Sequence, residues 1–277
     1  MGAGGNRTRD RLRAPLDDVP ALVLRTVEFG EADLIVHLLT PTRGRVTAMA
    51  KHARKSVRRF PGSLDLFNHL EVKIHPRRRG GMPLLDRARL LSPFLALRDD
   101  AARYGLACYV MELLSRLAPE EGVGPEMRGI FGFALEVLQT LEHGRPDERM
   151  RVLVELRALD ALGMRPELRN CVRCGREVEG PEVHFHVADG GVICRRCSSG
   201  EDLPLRAHLG TLRALEQGLR FPLAELSRLA LSGPSLAEAH AIVARFQRYH
   251  VGLELRSERF LNQILRASGK PGPTRAA

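Results

Sequence analysis

Lysine is nearly missing from this chain. Of its 43 cationic residues only Lys51, Lys55, Lys73 and Lys270 are lysine, a bias typical of whole genomes, so arginine richness by itself carries no functional meaning. Aromatic residues make up 5%, and before residue 90 they are limited to Phe29, Phe60 and Phe67. Any nucleic acid held there is held mainly by charge and with little regard to base sequence, because few rings are left for stacking. No window approaches the roughly 18 uninterrupted apolar residues that span a bilayer. No apolar stretch follows the charged N-terminus as it does in a secretory signal. A cytoplasmic, nucleoid-associated protein with no membrane partner is expected. Five cysteines, four of them in two Cys-x-x-Cys pairs, are too few and too patterned for a disulfide scaffold in 277 residues. Phosphate-cradling loops, His-Glu-x-x-His pairs and Gly-x-Ser-x-Gly elbows are also missing. No catalytic residue is assigned, and the protein is not expected to be an enzyme.

What is present is an uneven charge. The first 90 residues hold 18 cationic against 9 acidic side chains, and the remainder 25 against 24, so nearly all of the net charge of +10 is N-terminal. Phosphate chains are the usual partners of such a field, because each neutralised phosphate releases a condensed counterion.

Residues 1–18 are rich in Gly, Arg and Asp with no apolar period and read as a disordered basic arm. Five short runs rich in Val, Leu and Ile follow, at 21–28, 33–40, 45–51, 69–75 and 84–91. The fourth alternates cleanly, with Leu70, Val72 and Ile74 on one face and Glu71, Lys73 and His75 on the other. Pro41-Thr42-Arg43-Gly44 joins the second run to the third as a compact turn. Five strands in so short a stretch suit a small closed barrel of the OB type.

After Pro93 the period becomes helical. Asp99 and Asp100 are placed to cap a helix carrying Leu106, Tyr109, Val110, Leu113, Leu114 and Leu117, and Ile130, Ala134, Val137, Leu138 and Leu141 repeat the pattern. A third helix, about 147–162, stops at Gly163. A later one is introduced by Pro234 and Ser235, where Ser235 and Glu238 match a capping box, and ends at Gly252. The predicted fold class is therefore α+β and multidomain: an N-terminal OB-fold β-barrel at 19–92, then an α-helical domain at 93–267 with an inserted zinc module at 171–197, and a disordered tail at 268–277.

Cys171-x-x-Cys174 and Cys194-x-x-Cys197 have the spacing of a four-cysteine zinc module. Each Cys-x-x-Cys turn aims two sulfurs at one centre, and Gly175 permits the tight backbone after the first pair. Four thiolates close the shell, so the one Zn2+ expected is structural. His184 and His186, between the pairs, are read as packing or surface residues. His69-Leu70-Glu71 matches half of a zinc deaminase signature, but Asn170 stands where the other half requires Pro, and a second cysteine pair already completes the metal shell.

Lys51-His52-Ala53-Arg54-Lys55-Ser56-Val57-Arg58-Arg59 follows the third run, and Arg77-Arg78-Arg79 lies between the fourth and fifth. Cations beside a strand edge are what backbone-tracking binders of single strands use. The predicted DNA-binding set is Arg43, Arg45, Lys51, Arg54, Lys55, Arg58, Arg59, Arg77, Arg78 and Arg79.

The chain resembles the RecO recombination-mediator family. The resemblance runs through Leu24-Arg25-Thr26, Gly30-Glu31-Ala32-Asp33-Leu34, Leu38-Leu39-Thr40, Gly44, Ala50-Lys51 with the basic run after it, Leu162-Gly163-Met164-Arg165-Pro166-Glu167-Leu168 leading into Cys171, and Arg256-Ser257 with Arg259-Phe260-Leu261. It implies an OB fold, a helical domain with a zinc module, binding of single- and double-stranded DNA, and annealing of complementary strands in recombinational repair. It also implies work with RecR and single-stranded DNA-binding protein to help load RecA. The arm before Pro20 is longer than the family needs, and Glu258 stands where a basic residue is common. A zinc-ribbon factor of transcription or translation is the second reading and a nuclease the third; strand annealing separates the first two, and metal-dependent turnover reveals the third.

Overall fold

The computed structural model describes residues 15–76, 81–198 and 204–268, and the chain divides into two compact units. The first comprises residues up to Asp100 together with Val110–His143; the second comprises Ala101–Tyr109 and everything from Gly144 onward.

Five strands form a closed barrel in the first unit: β1 (Leu16–Phe29), β2 (Asp33–Thr40), β3 (Gly44–Ala50), β4 (His69–His75) and β5 (Leu84–Ser92), in the spatial order β1-β2-β3-β5-β4. Alternation makes this possible, because β3 and β4 turn every second residue inward. The inner face packs Ala21, Val23, Val36, Leu38, Val46, Ala48, Leu70, Val72 and Leu85 into one core, each large aliphatic side chain adding about 1.5–3 kcal/mol on burial. The turn into β3 needs glycine. Gly44 has φ +60°, and a Cβ there would lie 2.5 Å from the Pro119 carbonyl oxygen.

The barrel begins earlier than the sequence suggests. Leu16, assigned above to the arm, is buried and pairs with Ile74. The two aspartates that disguise it face outward, Asp17 toward Lys73 at 3.0 Å and Asp18 toward Arg87 at 2.7 Å. Helices α1 (Ala96–Asp99), the C-terminal half of α2 (Ala101–Leu117) and α3 (Pro125–His143) group with the barrel rather than with the later helices. Asp100 is extended and separates α1 from α2. His69, at the start of β4, sits against Phe131 of α3 with ring centroids 5.9 Å apart.

The second unit holds α4 (Glu148–Ala161), a three-stranded sheet of β6 (Glu182–His186), β7 (Gly191–Ile193) and β8 (Leu205–His208), then α5 (Leu209–Gly218), α6 (Gly233–His250) and α7 (Arg256–Ser268). Asp147 caps α4 by accepting from the Met150 N–H at 2.8 Å, and Gly163 at φ +76° ends its last turn. Arg151 and Glu155 form a buried ion pair on α4 at 2.9 Å, and Arg151 also donates to Asn262 of α7. Burial opposes both charges: the Glu155 carboxylate nevertheless holds the Arg151 guanidinium above its ordinary value, whereas burial outweighs Arg151 at Glu155 and leaves that carboxyl above its own. The capping box of α6 forms one turn before the expected one, between Ser232 and Ser235. Glu238 is used elsewhere: its carboxylate accepts from the His208 backbone N–H at 3.0 Å. Helix α7 includes Ser268, which the sequence reading gave to the tail.

The Nε2 atom of His69 is buried and has no hydrogen-bond partner among the described residues, and burial holds the imidazole below its ordinary value of 6.5. The unfolded chain therefore takes up this proton more readily, so stability is present above that value and falls as pH drops through it. Thermal unfolding should show a falling midpoint between about pH 7 and pH 5, by an amount that His69→Phe reduces. The same pH dependence in the variant would contradict this.

Candidate metal centre and nucleic-acid interface

The four cysteines predicted as ligands come together. Their sulfurs all lie within 4.8 Å of one another, and those of Cys174 and Cys194 are 3.7 Å apart. A tetrahedron with metal–sulfur bonds of about 2.3 Å has edges of about 3.8 Å, close to the Cys174–Cys194 separation, so the donor set suits a tetrahedral metal such as zinc. Two turns build it. In the first, the Gly175 N–H donates to the Cys171 carbonyl at 2.8 Å, and Gly175 takes φ +74°. In the second, the Cys197 N–H donates to the Cys194 carbonyl at 2.9 Å. Main-chain pairing holds the turns together: the Val172 N–H reaches the Val192 carbonyl on β7 at 2.9 Å, and Arg173 donates to the Cys197 carbonyl at 2.8 Å.

Four thiols this close cannot all ionise alone. Burial disfavours the Cys171 thiolate, yet backbone N–H groups of Cys194, Arg173 and Cys174 aimed at its sulfur bring it down to about 6. The Cys194 and Cys174 side chains push Cys197 up to about 12. A bound cation reverses that second effect, which is why such a cluster suits a metal. His184 and His186 lie outside the cluster, as expected. His184 Nδ1 is 2.8 Å from Ser198 Oγ, and His186 Nδ1 accepts from the Asp189 N–H at 3.1 Å. His69 and Glu71 do not form a metal site either: Glu71 faces Arg89 at 2.9 Å on the neighbouring strand.

The predicted DNA-binding residues separate into three groups. Arg43 and Arg45 are turned to structural use. Arg43 is buried, which lowers its guanidinium below the ordinary value while Glu121 opposes the shift. Arg45 donates through Nε to the Ala118 carbonyl at 2.6 Å and also to the Ser115 carbonyl, covering the C-terminal end of α2 where a cation is favoured. Sequence alone hides this, because the carbonyls lie some 70 positions away.

Segment 51–59 forms the second group, and its backbone is fixed. The His52 N–H donates to Asp33 at 2.7 Å, the Arg54 N–H to the Ala32 carbonyl at 3.1 Å, and the Arg59 carbonyl accepts from the Ala88 N–H on β5 at 3.2 Å. A 3-10 turn at Ala53–Lys55 inserts Ala53 into the barrel core, and Phe60 follows it there. Lys51, Arg54, Lys55 and Arg58 are left exposed, whereas Arg59 donates back to the Lys51 carbonyl at 2.6 Å and lies over the Phe60 ring. Arg54 meets Glu28 at 3.3 Å; among the described residues Lys51, Lys55 and Arg58 have no ion-pair partner. Of these cations Arg54 and Lys55 line a cleft of about 690 Å³, together with Thr26, Leu34, Val57 and Leu64. Arg77, Arg78 and Arg79, the third group, lie outside the described residues.

Composition also obscured one aromatic that does face outward. Phe29 is 51% exposed at the end of β1. The cross-strand register places Val27 opposite Ile35, Ile35 opposite Met49, and Arg25, His37 and Thr47 in the next row. In that row Arg25 lies 3.2 Å from His37 Nε2, and His37 Nδ1 lies 3.1 Å from Thr47 Oγ1.

Among the described residues no helix is long and apolar enough to cross a membrane. Residues 18–94 match the family described as Recombination protein O N terminal, and residues 98–259 match Recombination protein O C terminal. The chain is 36% identical over 244 residues to the DNA repair protein RecO of Anaeromyxobacter sp. (strain K), covering 88% of this chain and 94% of that one. It is 34% identical over 251 residues to the DNA repair protein RecO of Myxococcus xanthus, covering 89% and 97%, and 30% identical over 243 residues to that of Bacillus subtilis, covering 88% and 92%. With both halves matched in order around a closed barrel and a four-sulfur cluster, this chain belongs to the RecO family of DNA repair and recombination proteins.

Proposed function

We propose that the protein is a non-enzymatic, cytoplasmic recombination mediator that binds single- and double-stranded DNA through its barrel and anneals complementary strands. With RecR, and with single-stranded DNA-binding protein on the strand, it helps load RecA. The observation that carries the reading is the anchored cationic segment 51–59 on a closed OB-type barrel, beside a sheet face that ends in the exposed ring of Phe29. In barrels of this type the face of the second and third strands binds oligonucleotides. Lys51, Arg54, Lys55 and Arg58 supply phosphate contacts, joined by Arg77, Arg78 and Arg79, and Arg59 holds the segment in shape. The family match supports this reading over a zinc-ribbon factor of transcription or translation.

Annealing follows from the same electrostatics. Cations between two approaching strands screen phosphate repulsion, and binding nearly blind to sequence lets the strands find their register by base pairing. No open metal position is needed, because four thiolates complete a zinc shell. The zinc, held by Cys171, Cys174, Cys194 and Cys197, folds its module and takes no part in chemistry.

About five phosphate contacts give a single-strand slope against log salt of about −3.5, so raising salt from about 50 to about 200 mM should weaken binding roughly 100-fold. Replacing Lys51, Arg54, Lys55 and Arg58 with Ala should flatten the slope and slow annealing, with zinc content unchanged. A folded variant with the original slope would remove the segment from the DNA surface. Elemental analysis should find one zinc per chain, and Cys171→Ser should lose it and destabilise the second unit. A stable, zinc-free wild-type protein would contradict the metal assignment. Purified protein should hydrolyse neither ATP nor DNA; divalent-metal-dependent cutting abolished by a point change in the chain would overturn the non-enzymatic reading.

A further inference from the structure

The cysteine module carries a charged surface that has no ion pair among the described residues. Arg176 is two residues beyond Cys174, and Arg195 and Arg196 both lie between Cys194 and Cys197. All three are exposed. Because the four sulfurs lie within 4.8 Å of one another, residues so close in sequence have their α-carbons within about 12 Å of the centre. Arg206 extends the group. It is exposed on β8 and stands opposite His184 on β6, which stands opposite Ile193 on β7, the residue before Cys194. Two strand spacings put the α-carbons of Arg206 and Ile193 about 10 Å apart.

Two of the acidic side chains nearby are already engaged, and Glu179 and Glu182, both exposed, pair with none of the module's arginines among the described residues. Asp189 pairs with Arg173 at 2.7 Å, and Glu177 accepts from both Arg169 and Arg213. Among the described residues no ion pair reaches Arg176, Arg195, Arg196 or Arg206. Arg173, which also bonds the Cys197 carbonyl, is the guanidinium built into the metal site itself. The other four are surplus to that need. They are spread over an exposed surface rather than set around an apolar pocket, which suits an extended phosphate backbone better than an acidic peptide.

We propose that Arg176, Arg195, Arg196 and Arg206 form a second binding surface for a single-stranded DNA backbone, separate from the barrel surface, so that one chain holds two strands at once. The proposal rests on the DNA-binding reading above and assigns a distinct surface for the second strand. Four contacts give a slope of about −2.8 for that strand, so its capture should weaken about 50-fold between about 50 and about 200 mM salt.

The test uses the full zinc-loaded chain. Protein is bound to an immobilised oligo(dT), excess is washed away, and capture of a labelled second oligo(dT), which cannot base-pair with the first, is measured against salt. The wild type should capture it. Replacing Arg176, Arg195, Arg196 and Arg206 with Gln should reduce capture at least tenfold while zinc content and binding to the first strand persist. Should the quadruple variant lose its metal, Arg195→Gln with Arg196→Gln and the charge-keeping Arg→Lys set decide: capture should fall in the former and persist in the latter. Undiminished capture by a variant that lacks these charges overturns the proposal. So does loss of zinc with capture intact, which would assign the arginines to charge balance at the thiolates. Binding of a polyglutamate peptide that depends on the four arginines, with strand capture unchanged, would assign the surface to an acidic protein and overturn it as well. If the wild type fails to bind even the first strand, the DNA-binding reading itself fails; if only the second strand is indifferent to these residues, this proposal alone does.

Discussion

Closure of the barrel depends on one strand pairing along both of its edges. β1 is 14 residues long; its C-terminal half pairs with β2 and its N-terminal half with β4, and Leu22 takes part in both registers. A break in register between Val23 and Arg25 lets the strand bend enough to do this. Because no edge is left open there, the segment after β3 cannot extend the sheet. It folds over the barrel end, inserts Ala53 and Phe60 into the core, and displays its cations outward. The position of the charged surface is thus a consequence of strand pairing.

The second unit joins a buried helical core, with Leu153, Leu156, Leu212, Leu215, Ile242 and Phe246, to a small sheet carrying a four-sulfur cluster suited to a metal ion. Its sheet has strands of five, three and four residues, too short for independent stability, and the knuckles join its β7 edge to the end of α4 through Glu167, Val172 and Val192. A cation held by the four sulfurs would cross-link this sheet to the chain around it, where its own apolar burial is small. In both units, charged side chains are presented from a backbone that other forces have already fixed, which lowers the entropy lost when a phosphate is bound.

Much of this was legible in the sequence, for identifiable reasons. The strands at 33–40 and 69–75 match because two-residue alternation survives on any half-buried strand, and the cysteine spacing is dictated by metal geometry. What was missed depends on distant partners. Leu16 is disguised by two aspartates whose cations come from β4 and β5, and nothing local reveals the α2 carbonyls that Arg45 reaches. Ser232 displaced Ser235 as the N-cap because Glu238 was already committed to His208. Helical periodicity shows which face is apolar but not which body it covers, and α1 and α3 group with the barrel.

On the proposed function, single-stranded DNA lies along the outer face of β1, β2 and β3 and the segment beside it. Amide hydrogen exchange on the full zinc-loaded chain, with and without a saturating oligo(dT), tests it most directly. Exchange should slow chiefly in 25–29, 33–37 and 51–60, and this protection should be lost again when salt is raised. Protection confined to other regions, with these three unchanged, would contradict it.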